Sequence, residues 1–311
     1  MNQEHHRRYA RYALALTSGG VREGVLVHDS QTGSWGDAAP LPGWSAETLE
    51  DVIRCASSGD MRPASLRSAC EAAKSINDWP VLHPRIAINA LVTGDKGMML
   101  AAARAAAERG CRCLKLKTGG VPIVKLPSFL RQVAEASGYG CLLRIDPNRS
   151  WTLNQTMELA DALQGLPIAY FEEPLDDASS LPELIRSCPV PIALDETLRE
   201  ITPEDLGRFK GAAALVLKPT LIGGFDLCRR FAVAGQSLGM DAVVSASYES
   251  GVGIYTLGRF AASLPNQAAA GLDTYSMLKE DVLCQRLALE EFTFRADQPM
   301  PDVDESRLLP L

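Results

Sequence analysis

An α/β protein, a (β/α)8-type barrel carrying a smaller α+β cap, is what this 311-residue sequence predicts, on three observations. From about residue 85, short apolar runs alternate with helix-patterned stretches roughly every 20–30 residues, the rhythm of parallel strands joined by crossover helices. Eight such runs occur and no glycine-rich dinucleotide loop follows the first, so a closed barrel fits better than an open doubly wound sheet. Ahead of them lies a region of different texture, first alternating in strand fashion and then helical.

Taken in order, residues 9–36 read as two or three short antiparallel strands with turns at Gly19-Gly20 and Thr32-Gly33. Ser45 is expected to cap a helix over "AETLEDVIRCA", and "ASLRSACEAAKSI" gives a second. The two prolines of "NDWPVLHP" (77–84) mark a boundary, which places the cap at 1–84 and the barrel at 85–280. The barrel strands are "RIAINALV", "CLKLK", "CLLRID", "IAYFE", "PIALD", "AALVLK", "DAVVSA" and "AAAGLD". Helices are expected between them, for example over "KGMMLAAARAAAERG", "LNQTMELADALQG" and "FDLCRRFAVAGQSLG". No strongly amphipathic segment follows the eighth strand, so the barrel is modified, its last helix lost, and residues 281–311 are expected to run back to the cap as a tail.

Composition narrows the function. An apolar content of 46% is enough for a sizeable core, and a net charge of −7 without a basic run argues against nucleic acid or an anionic membrane as partner. No apolar run approaches the ~20 residues that span a bilayer. Arg7 and Arg8 precede only Ala13–Leu16, too short for an export signal, so a cytoplasmic location is expected. The 8 cysteines are scattered; Cys111 and Cys113 form a C-x-C with no second pair, and all read as free thiols. His5, His6, His28 and His83 have no metal-ligand spacing to one another.

Chemistry in a barrel sits at the C-terminal ends of the strands. Here five successive strands end in ionisable groups: Lys115 and Lys117, then Arg144 and Asp146 with Asn148, Glu172 and Glu173, Asp195 and Glu196, and Lys218; the next runs into "SASYES". Residues two apart share a face. The leucines of "CLKLK" suit the helix-covered outside, which sends Lys115 and Lys117 into the lumen. The same parity lets Asp146, Glu172 and Asp195 converge, whereas Glu173 and Glu196 point away and are read as supporting partners, Glu196 as a partner for Lys218. A lone strand-end Asp is usually a helix cap and a lone Lys a surface ion pair, but independent caps have no reason to follow barrel order. Three converging carboxylates repel unless a cation joins them, and an all-oxygen set favours Mg²⁺, or Mn²⁺, over zinc. Lys117 and Lys218 would flank that cation. Partial desolvation beside it lowers a lysine pKa and makes the amine a usable base.

The ordered set "KLK", "RIDPN", "FEEP", "LDET" and "VLKPTLIGG" resembles the enolase superfamily, in its muconate lactonising enzyme subgroup. "GSWGDAAPLPGWSAET", "SASYESGVGIYTLGRFAASL" and "GLDTYSML" are similar to segments of the o-succinylbenzoate synthase family within it. The resemblance implies metal ligands at Asp146, Glu172 and Asp195 and catalytic lysines at Lys117 and Lys218, with Lys115 assisting. It also implies substrate or supporting contacts at Ser245 and Ser247 and a small carboxylate substrate. The implied reaction is Mg²⁺-dependent syn dehydration of 2-succinyl-6-hydroxy-2,4-cyclohexadiene-1-carboxylate to o-succinylbenzoate, for menaquinone synthesis, through lysine proton abstraction and a metal-stabilised enediolate. Two other readings stay open: a racemase of N-succinylamino acids, or a dipeptide epimerase, using the same lysine pair; and a catalytically silent barrel. The loop "TSGGV" (17–21) is shorter than the family's usual lid, and "GLDTY" lacks the Asp-x-Asp of the dipeptide epimerases.

Overall fold

A computed structural model describes residues 6–265 and 268–311; His5 lies outside them. The first strands are β1 (Arg7–Ala15), β2 (Val21–Asp29) and β3 (Ser34–Ala38), followed by α1 (Leu49–Ser58) and α2 (Ala64–Ser75). β1 and β2 pair antiparallel over nine residues. On β3, a Cβ at Gly36 would collide with the Ala69 carbonyl, so glycine is what lets α2 lie directly on the sheet. Ser45 does not cap α1. Thr48 does, its hydroxyl accepting from Asp51 N while Asp51 accepts in return from Thr48 N, and Ser45 Oγ instead accepts from Leu41 N at 2.8 Å. A threonine followed three residues later by an acid makes the reciprocal box that Ser45 cannot.

"RIAINALV" is two strands, not one. β4 (Arg85–Ala87) leaves the barrel to pair antiparallel with residues 293–295, and only β5 (Ala90–Val92) joins the barrel sheet. After β5 the chain alternates as expected: α3 (Lys96–Glu108), β6 (Cys113–Lys117), α4 (Leu126–Ser137), β7 (Leu142–Asp146), α5 (Leu153–Ala162), β8 (Ile168–Glu172), α6 (Leu181–Ser187), β9 (Ile192–Leu194), β10 (Ala214–Leu217), α7 (Pro219–Ile222), α8 (Phe225–Ser237), β11 (Asp241–Val244) and α9 (Gly251–Ala262). β5 to β11 form one parallel sheet in sequence order. The eighth strand is reduced to single bridges, Ala270 to Ile88 on one edge and Gly271 to Ser245 on the other. Beyond it come 3₁₀ turns, β12 (Thr293–Arg295) and β13 (Leu309–Pro310), which pairs with β1.

Strand parity builds two layers. Leu114, Leu116, Leu143, Ile145, Phe171, Leu215 and Leu217 join the main core, each such burial contributing about 1.5–3 kcal/mol. The alternate residues Tyr170, Ala193, Ala214, Val216 and Val243 form a separate apolar cluster. Residues of this second parity one step further along, Glu172, Asp195 and Lys218, are therefore carried to the barrel mouth.

Asp37 ties the N-terminal sheet to the barrel. It accepts from Tyr12 Oη at 2.9 Å and from Ser250 N and Oγ at 2.8 and 2.7 Å. Burial lifts its pKa from 3.8 to about 6, against the pull of the Ser250 hydrogen bonds. A carboxyl raised in this way stabilises the fold fully below its ordinary pKa and loses that contribution as pH rises through about 6. The melting temperature of the wild type relative to Asp37→Asn should therefore fall between pH 4 and 7, as thermal melts at each pH would read.

Candidate active site

Six ionisable side chains from the C-terminal ends of β6 to β10 meet at the mouth. Lys115 Nζ lies 2.5 Å from Glu172 Oε1 and 3.0 Å from Asp146 Oδ2. Lys117 Nζ lies 2.6 Å from the same Asp146 oxygen and donates to Asn148 Oδ1 at 3.1 Å. Lys218 pairs with Asp195. Three acidic side chains thus face three lysines. The side chain of Lys115 is 8% exposed, that of Lys218 12% and that of Lys117 33%, so Lys117 has the freest ammonium.

Charge and burial compete at each position. Burial works against the Lys115 ammonium, but Glu172, Asp146 and Asp195 outweigh it and hold its pKa well above the ordinary lysine value. Lys218 is likewise raised against its burial, chiefly by Asp195. Burial opposes the ionised forms of Asp146 and Asp195, yet lysines keep both pKa values low: Lys115 and Lys117 for the first, Lys218 and Lys115 for the second. Glu172 is pushed up to about 8 by burial, and its two acidic neighbours add to that against the pull of Lys115.

The site fits a divalent metal. One oxygen from each of Asp146, Glu172 and Asp195 lies within 4.8 Å of the others, all three residues are buried, and Glu172 Oε2 has no hydrogen-bond partner. Three hard oxygen donors with an unsatisfied lone pair can chelate a cation such as Mg²⁺.

The neighbouring residues hold these groups in place. Asn148 N donates to Asp146 Oδ1 at 3.0 Å. Glu173 points away from the lumen, as its parity requires: it binds Arg149 at 2.7 Å and accepts from Asp195 N at 2.9 Å and Thr197 Oγ1 at 2.5 Å. Asn148, Arg149 and Glu173 all have positive φ, of 51°, 54° and 40°, and such strain concentrates where surroundings fix a site. Glu196 makes no ion-pair contact with Lys218 among the described residues; Asp195, which shares the lumen face with that lysine, makes it instead. Glu196 contacts Asn148 Nδ2 at 3.4 Å, and burial with Asp195 nearby lifts its pKa to about 7. Arg144 shares the lumen face but points toward Asn89 Oδ1 and Ala269 O, at 3.0 and 2.8 Å, and does not line the cavity.

A cavity of ≈ 190 Å³ opens above the cluster, lined by Lys115, Lys117, Asn148, Lys218, Ser245 and Ser247. Leu41, Trp44, Asn89, Tyr248 and Thr274 also line it, and none of these was singled out for the site from the sequence. Leu41 and Trp44 come from the N-terminal region, whose pairing with the barrel no strand pattern announces.

A parallel barrel with a chelating acid triad and lysines among its strand ends defines an enzyme for metal-assisted chemistry on carboxylates. Residues 98–299 match the family model described as "Enolase C-terminal domain-like". The o-succinylbenzoate synthase of Citrobacter koseri is 30% identical over 278 residues, 83% of this chain and 85% of the relative; that of Yersinia enterocolitica is 30% identical over 302 residues, 88% and 92%. The L-Ala-D/L-Glu epimerase from Bacillus subtilis superposes with a TM-score of 0.85 over 96% of both chains at 20% identity. Muconate lactonizing enzyme from Pseudomonas fluorescens gives 0.84 over 97% of this chain and 96% of the other, at 17%. The chain belongs to the enolase superfamily, in the subgroup that holds the muconate lactonising enzymes and o-succinylbenzoate synthases. Among the described residues, no helix is long and apolar enough to cross a membrane.

Proposed function

We propose that this enzyme performs the syn dehydration of 2-succinyl-6-hydroxy-2,4-cyclohexadiene-1-carboxylate to o-succinylbenzoate, a step toward menaquinone, with Lys117 and Lys218 as the catalytic pair. The observation that carries the reading is that both lysines line one ≈ 190 Å³ cavity above the acid triad, at the ends of strands four places apart in the barrel sheet. The 30% identity to o-succinylbenzoate synthases supports the choice of substrate. A bound Mg²⁺ would supply positive charge for the substrate carboxylate and for the negative charge that develops on it as the α-proton leaves. Asp146, Glu172 and Asp195 would hold that ion, and with Asp146 engaged as a ligand Lys117 would be free of its pairing with that carboxylate. Lys117, positioned by Asn148, takes the α-proton and then returns it to the departing hydroxyl on the same face. Lys218 stays cationic on the opposite face and stabilises the same negative charge. Lys115 keeps Glu172 and Asp146 in register, Glu173 anchors Asp195 from behind, and Ser245 and Ser247 face the remainder of the substrate. Residues 1–84 with the 281–311 tail act as the cap over the 85–280 barrel, and the substrate is a small carboxylate met in the cytoplasm.

An N-succinylamino acid racemase would use the same lysines on opposite faces. A dipeptide substrate fits less well, because the eighth strand offers the cavity a single carboxylate, Asp273, followed by Thr274 and Tyr275, in place of an Asp-x-Asp pair for its ammonium group. The purified protein with Mg²⁺ should bleach the ultraviolet absorbance of the cyclohexadiene, and excess chelator should stop it. No turnover with Mg²⁺ present would move the reaction to the racemase.

A further inference from the structure

The active-site cavity is not the only space on this face. A second cavity of ≈ 680 Å³ lies between the short loop after β1 and the segment before α1, lined by Leu16, Val21, Pro42 and Leu49 among others. Leu41 and Tyr248 line both cavities, so these two residues form the wall between them. They come from distant parts of the chain, one from the N-terminal region and one from the loop after β11, and something must hold them together.

Arg22 does so. It sits at the start of β2, is only 4% exposed, and lines the outer cavity. Its guanidinium makes five hydrogen bonds, all to backbone carbonyls: Ala39 at 2.6 Å, Pro40 at 2.7 Å, Tyr248 at 3.0 Å, Glu23 at 3.2 Å and Ser247 at 3.3 Å. Each of its five N–H groups has one acceptor, a fit that uses the whole planar fork. Two acceptors immediately precede Leu41, and two are Ser247 and Tyr248 themselves. Tyr248 holds φ at 64°, a left-handed conformation that a bulky side chain keeps only when its surroundings impose it. Glu249 secures the same loop from the other side, accepting from Ser247 N at 2.5 Å and from Thr220 Oγ1 at 2.7 Å. Ser247 Oγ, buried in the wall of the inner cavity, has no partner of its own.

We propose that Arg22 is a positioning residue that clasps Leu41 to Tyr248, fixes the wall between the two cavities, and so limits the length of the acyl chain the active site accepts. The substrate part of this statement rests on the dehydratase reading; the clasp does not. Lysine cannot replace arginine here, since one ammonium offers three donors from a single point and the five acceptors lie on three segments. With the clasp gone, the inner cavity opens into the outer one, and the succinyl end loses its stop while the metal and lysines stay in place.

The test compares wild type with Arg22→Lys on the cyclohexadiene substrate and on its glutaryl analogue, one methylene longer, together with backbone hydrogen exchange on the full chain. In the variant, KM for the succinyl substrate should rise roughly tenfold or more with kcat within about threefold, and the preference for succinyl over glutaryl should fall by about tenfold, the scale of one methylene in a shaped pocket. Exchange should accelerate at residues 39–43 and 245–250 and nowhere else in the barrel. A fall in kcat at constant KM, an unchanged preference, or faster exchange spread over the whole chain overturns the proposal. If wild type turns over neither substrate, the dehydratase reading fails, and the exchange pattern alone decides the clasp. Should Arg22→Lys not fold, Arg22→Gln, which keeps a planar amide with two N–H donors, is read the same way; global unfolding of both overturns a local role.

Discussion

Lys117→Ala should abolish proton abstraction and leave Mg²⁺ binding intact. Positioned general bases contribute about 10²–10⁴-fold, and here the same group also returns the proton, so the loss in kcat should reach the upper end of that range. The metal ligands do not depend on Lys117. Its ammonium is only a counter-ion to Asp146 Oδ2, and removing it frees that oxygen, so Mg²⁺ should bind as tightly as before or more so. Diene bleaching by stopped flow gives the first quantity and calorimetric Mg²⁺ titration the second. A variant that still exchanges the substrate α-proton with solvent at the wild-type rate would show that the base is another group.

The second large effect concerns stability. Lys115 is the bridging counter-ion of the metal-free site, in contact with both Glu172 and Asp146 and itself almost wholly buried. Replacing it with methionine keeps the bulk and removes the charge. Two buried carboxylates then face each other with one fewer partner, and breaking a buried pair from one side costs about 3–5 kcal/mol. In chelator, Lys115→Met should melt on the order of 10 °C below wild type. Saturating Mg²⁺ should close most of that gap, because the ion supplies the missing positive charge and binds only the folded state. Identical melting of the two proteins in chelator would mean that Lys115 does not offset the acid repulsion.

Much of the site was legible because parity is a local property. The leucines at 114 and 116 declare the outer face of β6, which fixes Lys115 and Lys117 inward, and the same reading places Asp146, Glu172 and Asp195 together. The parity of Glu173 correctly turned it away from the lumen. What sequence could not supply were partners far along the chain. "RIAINALV" is continuous in composition, yet Arg85–Ala87 pairs with Thr293–Arg295 about 200 residues later, and only that pairing splits it. Glu196 reads from the sequence as a partner for Lys218, but Asp195 is the residue that shares the lumen face with that lysine, and it takes the contact. Ser45 lost the cap of α1 to Thr48 because the acid at Asp51 completes a box only with Thr48. The cavity wall from Leu41 and Trp44, and the carbonyl cluster around Arg22, arise from packing between the N-terminal sheet and the barrel. No periodicity encodes that docking.

Asp146, Glu172 and Asp195 are expected to hold one divalent ion, with their lysine counter-ions giving way to it. Calorimetric titration of metal-free protein with Mg²⁺, alongside Glu172→Gln, tests it most directly. One ion should bind per wild-type chain, and the variant, whose neutral amide replaces a charged carboxylate ligand, should bind it at least about tenfold more weakly. Equal binding by both proteins, or none by wild type, would contradict it.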